Sequence, residues 1–266
     1  MNCFFWNTAK KDVNNILIDA IKNYDLDLVS LAEYDDKYRE DLIRGIANKE
    51  LDYYHIPQIG CKRIHLFTKN KPSKIEHLSE TGYYTIKRIP HETLGPLIFA
   101  FLHFPSKMYM DDFDHFQEST EFRRELEKVE LECNSTFSVI VGDFNMNPFE
   151  KGMMAAAALH AYPTRKEALK ESRVIKGRRY NMFYNPMWNN FGDQESPTGT
   201  YYYRGGSHHY QIYWNIFDQV LVRPSLVPYL LPDNVKILNE INNNKLVDEN
   251  GIPSVSDHLP LFYRIL

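Results

Sequence analysis

Two apolar stretches, Leu97–Leu102 and Phe137–Val141, do most to limit how this chain can fold. A strand with one face in water alternates apolar and polar residues, whereas a strand covered on both faces reads as a near-continuous apolar run. Both stretches are of the second kind, so the fold has to supply a layer on each side of them. Cys3–Trp6 and Leu28–Ala32 are shorter buried strands, and between them Val13, Ile16, Leu17, Ala20 and Ile21 recur at helical spacing. A charged helical stretch follows from Asp35 to Lys49. Arg63–Phe67, Ile75–Leu78 and Tyr83–Ile89 are β-rich, Asp111–Cys133 is a long charged helix, and Met153–Leu159 is an Ala-rich one. Residues 163–215 are loop-rich and aromatic, and Phe217–Val222 and Leu259–Ile265 are late strands. With strands at both ends, helices between them and no Pro- or Ser-rich linker, the economical reading is one α/β domain over residues 1–266.

Composition narrows the class further. With 43% hydrophobic and 25% charged residues in 266, the chain is neither disordered nor collagen-like, and it is long enough to fold without disulfides or a metal. Its longest apolar runs fall well short of the roughly 18 residues that a membrane span needs. The net charge of −4 excludes attachment to nucleic acid by bulk charge, so any polyanion-binding surface has to be local. Cys3, Cys61 and Cys133 are an odd number at no metal-like spacing, and read as thiols of a reducing compartment. The first residues have no basic segment and no long apolar core, so a signal peptide is not expected and cytoplasm is the default.

The residues that carry chemistry sit where strands end. Asn7 follows the first strand, Glu33 the second, His103 the strand Leu97–Leu102, and Gly142-Asp143-Phe144-Asn145 the strand Phe137–Val141. Asp218 stands at the head of Phe217–Val222, and Ser256-Asp257-His258 precedes the last strand. Polar groups at strand ends of an α/β sheet form its usual crevice, so six such positions suggest one convergent pocket. Each also has an ordinary reading: Asn7 as a helix cap, Glu33 as an exposed loop acid, His103 as a satisfied histidine, Asp143 and Asn145 as an Asx-turn, the Ser-Asp-His triplet as a cap.

Taken in order, these motifs resemble the endonuclease/exonuclease/phosphatase superfamily, which has the deoxyribonuclease I-like fold. The matching segments are Phe5-Trp6-Asn7, Leu31-Ala32-Glu33, Leu102-His103-Phe104-Pro105-Ser106, Val141-Gly142-Asp143-Phe144-Asn145, Phe217-Asp218-Gln219-Val220-Leu221-Val222 and Ser256-Asp257-His258-Leu259-Pro260. The resemblance implies a four-layer α/β sandwich, two mixed β-sheets face to face with helices outside. It implies that Glu33 is the main Mg²⁺ ligand, with Asn7 beside it and Asp257 as a further carboxylate, Mn²⁺ being an acceptable substitute. It implies that Asp143 holds or deprotonates the attacking water and that Asn145 donates to a phosphate oxygen. His258 would touch the scissile phosphate with Asp218 fixing its tautomer, and His103 would approach from the other side. One departure stands out. Where deoxyribonuclease I has a glutamate that pairs the histidine matching His103, this chain has Lys62 or Arg63, so a neutral, donating His103 is expected.

Loops, not catalytic residues, choose the substrate in such a fold. Arg165, Lys166, Lys170, Arg173, Lys176, Arg178 and Arg179 make a basic stretch, followed by an aromatic one from Tyr180 to Trp214 that includes Tyr201–Tyr203, Arg204, His208 and His209. Arg173, Lys176, Arg178 and Arg179 are the candidates for guiding a nucleic-acid strand. The competing reading makes the charges a solvated helix face and Tyr201–Tyr203 a half-buried strand. Asn215-Ile216-Phe217-Asp218-Gln219 departs from the Trp-Cys-Asp-Arg of inositol phosphatases, and no hydrophobic hairpin suggests a lipid surface. The expected activity is Mg²⁺-dependent phosphodiester hydrolysis on DNA or RNA, with no membrane and no protein partner. The alternatives are a phosphoesterase acting on a small-molecule or lipid phosphate, and a catalytically weak phosphate-binding module.

Overall fold

The computed structural model describes residues 1–192, 196–205 and 212–266; His208 and His209 lie outside them. In chain order the elements are β1 (Asn2–Asn7), α1 (Asn14–Asn23), β2 (Leu28–Ala32), α2 (Arg39–Ala47), β3 (Tyr54–Ile56), β4 (Ile64–Thr68), β5 (Glu76–Glu80), β6 (Tyr84–Ile89) and β7 (Leu97–His103). Then come α3 (Asp112–Glu132), β8 (Ser138–Asp143), α4 (Lys151–Met154), β9 (Ala161–Tyr162), α5 (Arg165–Ala168), β10 (Ser172–Ile175), β11 (Arg178–Asn181) and β12 (Phe183–Tyr184). The last are β13 (Tyr201–Tyr202), β14 (Trp214–Asn215), β15 (Asp218–Val222), β16 (Val235–Ile237), β17 (Glu240–Ile241), β18 (Asn244–Lys245) and β19 (Leu261–Arg264).

Two mixed sheets face each other. One runs β16-β19-β1-β2-β4-β3, the other β5-β6-β7-β8-β15-β12-β9. Strand β7 shows why a continuous apolar run was needed. Leu97, Phe99 and Phe101 point into the core between the sheets, while Ile98, Ala100 and Leu102 join Phe122, Leu126 and Val129 of α3 in a second core. On the other side Leu17, Ala20 and Ile21 of α1 and Leu42 and Ile46 of α2 cover the first sheet. The layers are therefore helix, sheet, sheet, helix, the α/β sandwich expected from the sequence.

Each sheet contributes one parallel pair to the site, the second sheet having a further parallel pair, β9 with β12, at its edge. β1 runs parallel to β2 with Asn7 opposite Ala32, and β7 runs parallel to β8 with His103 opposite Asp143. A parallel pair needs a crossover, supplied by α1 in the first and α3 in the second. α3 is fixed at its start by a capping box, in which the Asp111 side chain accepts from Phe113 N and Asp114 N at 2.8 and 2.9 Å. β15 then lies antiparallel on β8, pairing Asp218 with Asp143.

Two local expectations are corrected. The Ala-rich stretch Met153–Leu159 is not a helix: α4 ends at Met154. Ala155 turns to extended backbone and Arg123 donates to the Ala156 carbonyl at 2.8 Å, so tertiary contact overrides alanine propensity there. The basic stretch is neither loop nor helix face for most of its length. It is the short helix α5 followed by the exposed antiparallel hairpin β10–β11.

Candidate active site

The ends of the two parallel pairs meet at one edge of the sandwich, in a cleft of about 530 Å³ lined by Asn7, Glu33, His103, Asp143, Asn145, Asp257 and His258, together with Arg63, Lys107, Met108, Tyr109, Tyr201, Tyr203 and Phe217. Asp218 stands behind His258. Seven of the expected residues thus line one cavity and the eighth buttresses it.

Asp143 is the hub. It is fully buried at the end of β8, and its two carboxylate oxygens have separate surroundings. Oδ1 accepts from Asn145 N at 2.8 Å. Oδ2 accepts from Asn7 Nδ2 at 2.9 Å and lies 3.8 Å from His103 Nε2 and 3.9 Å from His258 Nε2. The glycine before it is required by space: a Cβ on Gly142 would stand 1.9 Å from the Leu102 carbonyl oxygen. Asn145 adopts φ +52°, a left-handed conformation that asparagine tolerates. Its Nδ2 donates to the Phe104 carbonyl at 2.8 Å, leaving one N–H of that amide for a ligand.

His258 is held from several directions. Its Nδ1 faces Asp218 Oδ2 at 2.7 Å, so Nδ1 carries the proton and donates. Ser256 Oγ accepts from His258 N at 3.2 Å and donates to the Asn7 carbonyl at 2.8 Å, while Trp6 Nε1 donates to the His258 carbonyl at 2.9 Å. The ring lies against Tyr201, with centroids 4.8 Å apart. Burial works against a charged imidazole, but Asp218, helped by Asp143 and Asp257, outweighs it and lifts the His258 pKa to about 10. Burial also raises Asp218, to about 6, against the pull of His258. Near neutrality the pair is aspartate with imidazolium. Asp143, Asp218 and His258 each offer an atom within 4.8 Å of the others. With His258 Nδ1 committed to Asp218, this trio reads as a hydrogen-bonded relay.

His103 is the opposite case. Its Nε2 lies 3.6 Å from Glu33 Oε1, but its Nδ1 is buried with no hydrogen-bond partner among the described residues. Burial pushes its pKa down against the pull of Asp143 and Glu33, and Arg63 adds to the fall. Among the described residues no carboxylate pairs this ring through Nδ1, and Arg63 stands over Tyr83 at 5.1 Å.

Glu33 sits at φ +47°, just past β2. The turn after β1 fastens it there: Thr8 Oγ1 and Lys10 N both donate to the Glu33 carbonyl at 2.8 Å. Asp257 is exposed beside His258. Asn7 Oδ1 accepts from Ala9 N at 3.1 Å and retains a second lone pair. Beside Asp143, the cleft therefore offers the amide oxygen of Asn7 and the carboxylates of Glu33 and Asp257, hard donors of the kind that suits a small divalent cation.

Arg173, Lys176, Arg178 and Arg179 are not brought to this cleft. Their hairpin packs along the far half of α3, where Asn181 donates to Glu127 at 3.2 Å and Arg123 lies over Tyr180 at 5.5 Å. Glu127 lies fifteen residues beyond the start of α3, or about 22 Å along the helix at 1.5 Å per residue. The cations that do line the cleft are Arg63 and Lys107. Arg63 was marked only as a departure at the position of a glutamate, and Lys107 by no motif, since the place of each depends on how strands from different parts of the chain come together.

No family model matches the sequence, and no curated protein matches it. Solved structures do. An endonuclease/exonuclease/phosphatase family protein of Bacteroides thetaiotaomicron aligns with TM-score 0.57 at 13% identity, covering 98% of this chain and 96% of the other. The fold is that of the endonuclease/exonuclease/phosphatase proteins. Two further structures with this fold are similar over nearly their whole length. The mannosyl-6-phosphatase of the same bacterium aligns with TM-score 0.57 at 12% identity, covering 100% and 99% of the two chains. The 3′ phosphatase NExo of Neisseria, bound to a product DNA hairpin, aligns with TM-score 0.56 at 14% identity, again covering 100% and 99%. What is shared at these identities is the endonuclease/exonuclease/phosphatase fold. Among the described residues no helix is long and apolar enough to cross a membrane.

Proposed function

We propose that the chain is a metal-dependent phosphoester hydrolase acting on nucleic acid, by in-line attack of a water held at Asp143. The observation that carries this reading is the approach of two imidazole Nε2 atoms, at 3.8 and 3.9 Å, to one buried Asp143 oxygen. A phosphoryl group placed between the rings would meet donors on both sides with the carboxylate below it. Phosphoester hydrolysis needs this: neutralised equatorial oxygens and a positioned nucleophile.

The residues divide the work. Asp143 accepts a proton from the attacking water. Asn7 Nδ2 and Asn145 N fix its carboxylate. His258, charged and oriented by Asp218, donates through Nε2 to a phosphate oxygen. His103, neutral, donates one hydrogen bond from the other side, and Asn145 offers its remaining amide N–H. Asn7, Glu33 and Asp257 would hold Mg²⁺, with Mn²⁺ as a substitute. When bound, the cation supplies charge stabilisation at the phosphoryl oxygens.

The intact set of Glu33, Asp143, Asn145, Asp218, Asp257 and His258 favours an enzyme over a degenerate binding module. A phosphomonoesterase acting on a small phosphate is the second reading, supported by the likeness to a mannosyl-6-phosphatase. One panel separates the two: supercoiled plasmid, single-stranded DNA, RNA, phosphorylated inositols and a hexose 6-phosphate, each with Mg²⁺, Mn²⁺ or EDTA. Cation-dependent cleavage of the nucleic acids is expected. Release of phosphate from the small esters alone would overturn the nucleic-acid reading.

A further inference from the structure

The segment that follows His103 is unusual in what it exposes. Between β7 and the second turn of α3, Met108, Tyr109 and Phe113 are 84%, 79% and 71% exposed. Large apolar side chains are common singly on a surface, but three within six residues at the mouth of a cleft point to a contact surface. Met108 and Tyr109 line the cleft itself. Phe113 lines a second, adjoining pocket of about 690 Å³, together with Phe116, Ala155, Lys151, Asp111 and Asp112. That volume lies within the roughly 300–1,000 Å³ of ligand sites. Lys107 lines both cavities, so they adjoin at its side chain. Its ammonium is held there by Glu150, at 2.6 and 2.7 Å.

The chemistry of this second pocket selects its occupant. Phe113 and Phe116 are three residues apart on α3 and share a face. Of the charged residues that line it, Asp111 and Asp112 oppose a phosphate beside them, while Lys107 and Lys151 favour one beside theirs. Two aromatic rings with cations beside them fit a nucleotide whose base stacks on the rings and whose phosphate meets a lysine.

We infer that this pocket is a base subsite: an unpaired nucleic-acid strand leaves the cleft across Lys107 and seats a base against Phe113 and Phe116. The inference rests on the reading of the cleft as a phosphoester hydrolase and specifies its substrate as single-stranded next to the cleavage point. Tyr109 offers a second ring on the same path.

The test compares an unpaired DNA oligonucleotide with bis(p-nitrophenyl) phosphate, measured on the wild-type chain, Phe113→Ala, Phe113→Leu, Phe113→Tyr and the control Leu131→Ala, which removes an equally exposed apolar residue at the far end of α3. Stacking of one base should make Phe113→Ala raise the oligonucleotide KM about five- to one-hundred-fold, with the small diester unaffected. Phe113→Tyr should restore the oligonucleotide KM and Phe113→Leu should not. Equal effects on both substrates, or an unchanged oligonucleotide KM, would overturn the inference while leaving the hydrolase reading in place. If the wild-type chain hydrolyses neither substrate, the hydrolase reading fails. Anisotropy of a labelled oligonucleotide in EDTA then still decides the surface, weaker binding by Phe113→Ala supporting it and unchanged binding overturning it.

Discussion

Asn7 of β1 donates through Nδ2 to Asp143 Oδ2 of β8 at 2.9 Å, so a single hydrogen bond ties the last residue of a strand in one sheet to the last residue of a strand in the other. The two residues are 136 positions apart. The bond is buried, where a charge-assisted contact is strong and its loss leaves a carboxylate short of a partner. Asn7 therefore both sets the direction of the Asp143 carboxylate and closes the seam along which the site is built.

The buried pair of Asp218 and His258 gives the pH dependence. His258 is raised from 6.5 to about 10. A base whose pKa is higher when folded contributes stability fully below its unfolded value and loses it as pH rises through the folded value. Wild-type stability should therefore fall between pH 7 and about 10 more steeply than that of His258→Asn, as measured by thermal unfolding across that range. Parallel curves would remove the imidazolium assignment. Asp218→Asn should keep the circular dichroism spectrum, lower kcat by about three to four orders of magnitude and shift the alkaline limb of the rate profile to lower pH.

Glu33→Gln removes one anionic donor from a cleft with few of them. The Mg²⁺ concentration for half-maximal activity should rise at least about tenfold, with partial recovery at high metal. A metal titration of activity checks this, and an unchanged midpoint would return Glu33 to the role of an ordinary loop acid.

Arg63 and Lys107 line the cleft, and the β10–β11 hairpin does not. Arg63→Ala and Lys107→Ala should each raise KM for a single strand and reduce the log–log salt slope by about 0.7. Neutralising Arg173, Lys176, Arg178 and Arg179 together should change neither quantity. Binding isotherms between 50 and 200 mM salt, about the range over which phosphate contacts are resolved, separate these outcomes. A reduced slope in the hairpin variant would place nucleic acid along α3 instead.

Far from the cleft, Arg223 forms a two-point ion pair with Glu130, both bonds at 2.8 Å, and its guanidinium lies 3.9 Å from the Phe183 ring centroid. The two side chains are only 3% and 7% exposed. Without the Glu130 charge Arg223 keeps only Glu127, 3.5 Å away, and the Met182 carbonyl, so Glu130→Gln should cost about 1.5–3 kcal/mol of stability. Denaturant titration reads the loss, and kcat at low temperature should stay at the wild-type value. Wild-type stability in the variant would show that Arg223 finds another partner.

The parts of the fold that could be read from sequence are those in which one residue's surroundings are set by near neighbours. β7 announced itself because both its faces are apolar, and α3 because Asp111–Cys133 is a long charged stretch. The residues at the ends of β1, β2, β7 and β8 and at the head of β15 have ordinary readings one by one, and were legible because their motifs follow in the order of one superfamily; they do line or support one cleft. What escaped was set by distant contacts. The short strands β9 and β12 have only two residues each and exist because the edge of a sheet receives them. The direction of the basic hairpin depends on where α3 passes, which no local pattern encodes. Arg63 and Lys107 belong to the cleft only because β4 and the segment after β7 happen to border it.

The division of the site between two parallel strand pairs makes it a gauge of assembly. The pair β1–β2 brings Asn7 and Glu33, and the pair β7–β8 brings His103 and Asp143. Either pair can form with its own crossover helix before the sheets have docked, yet neither alone holds a pocket. During refolding from denaturant, strand and helix signals would return with the separate halves, whereas turnover would return only with the face-to-face contact. Turnover would thus report the docking of the two sheets, not the amount of secondary structure regained.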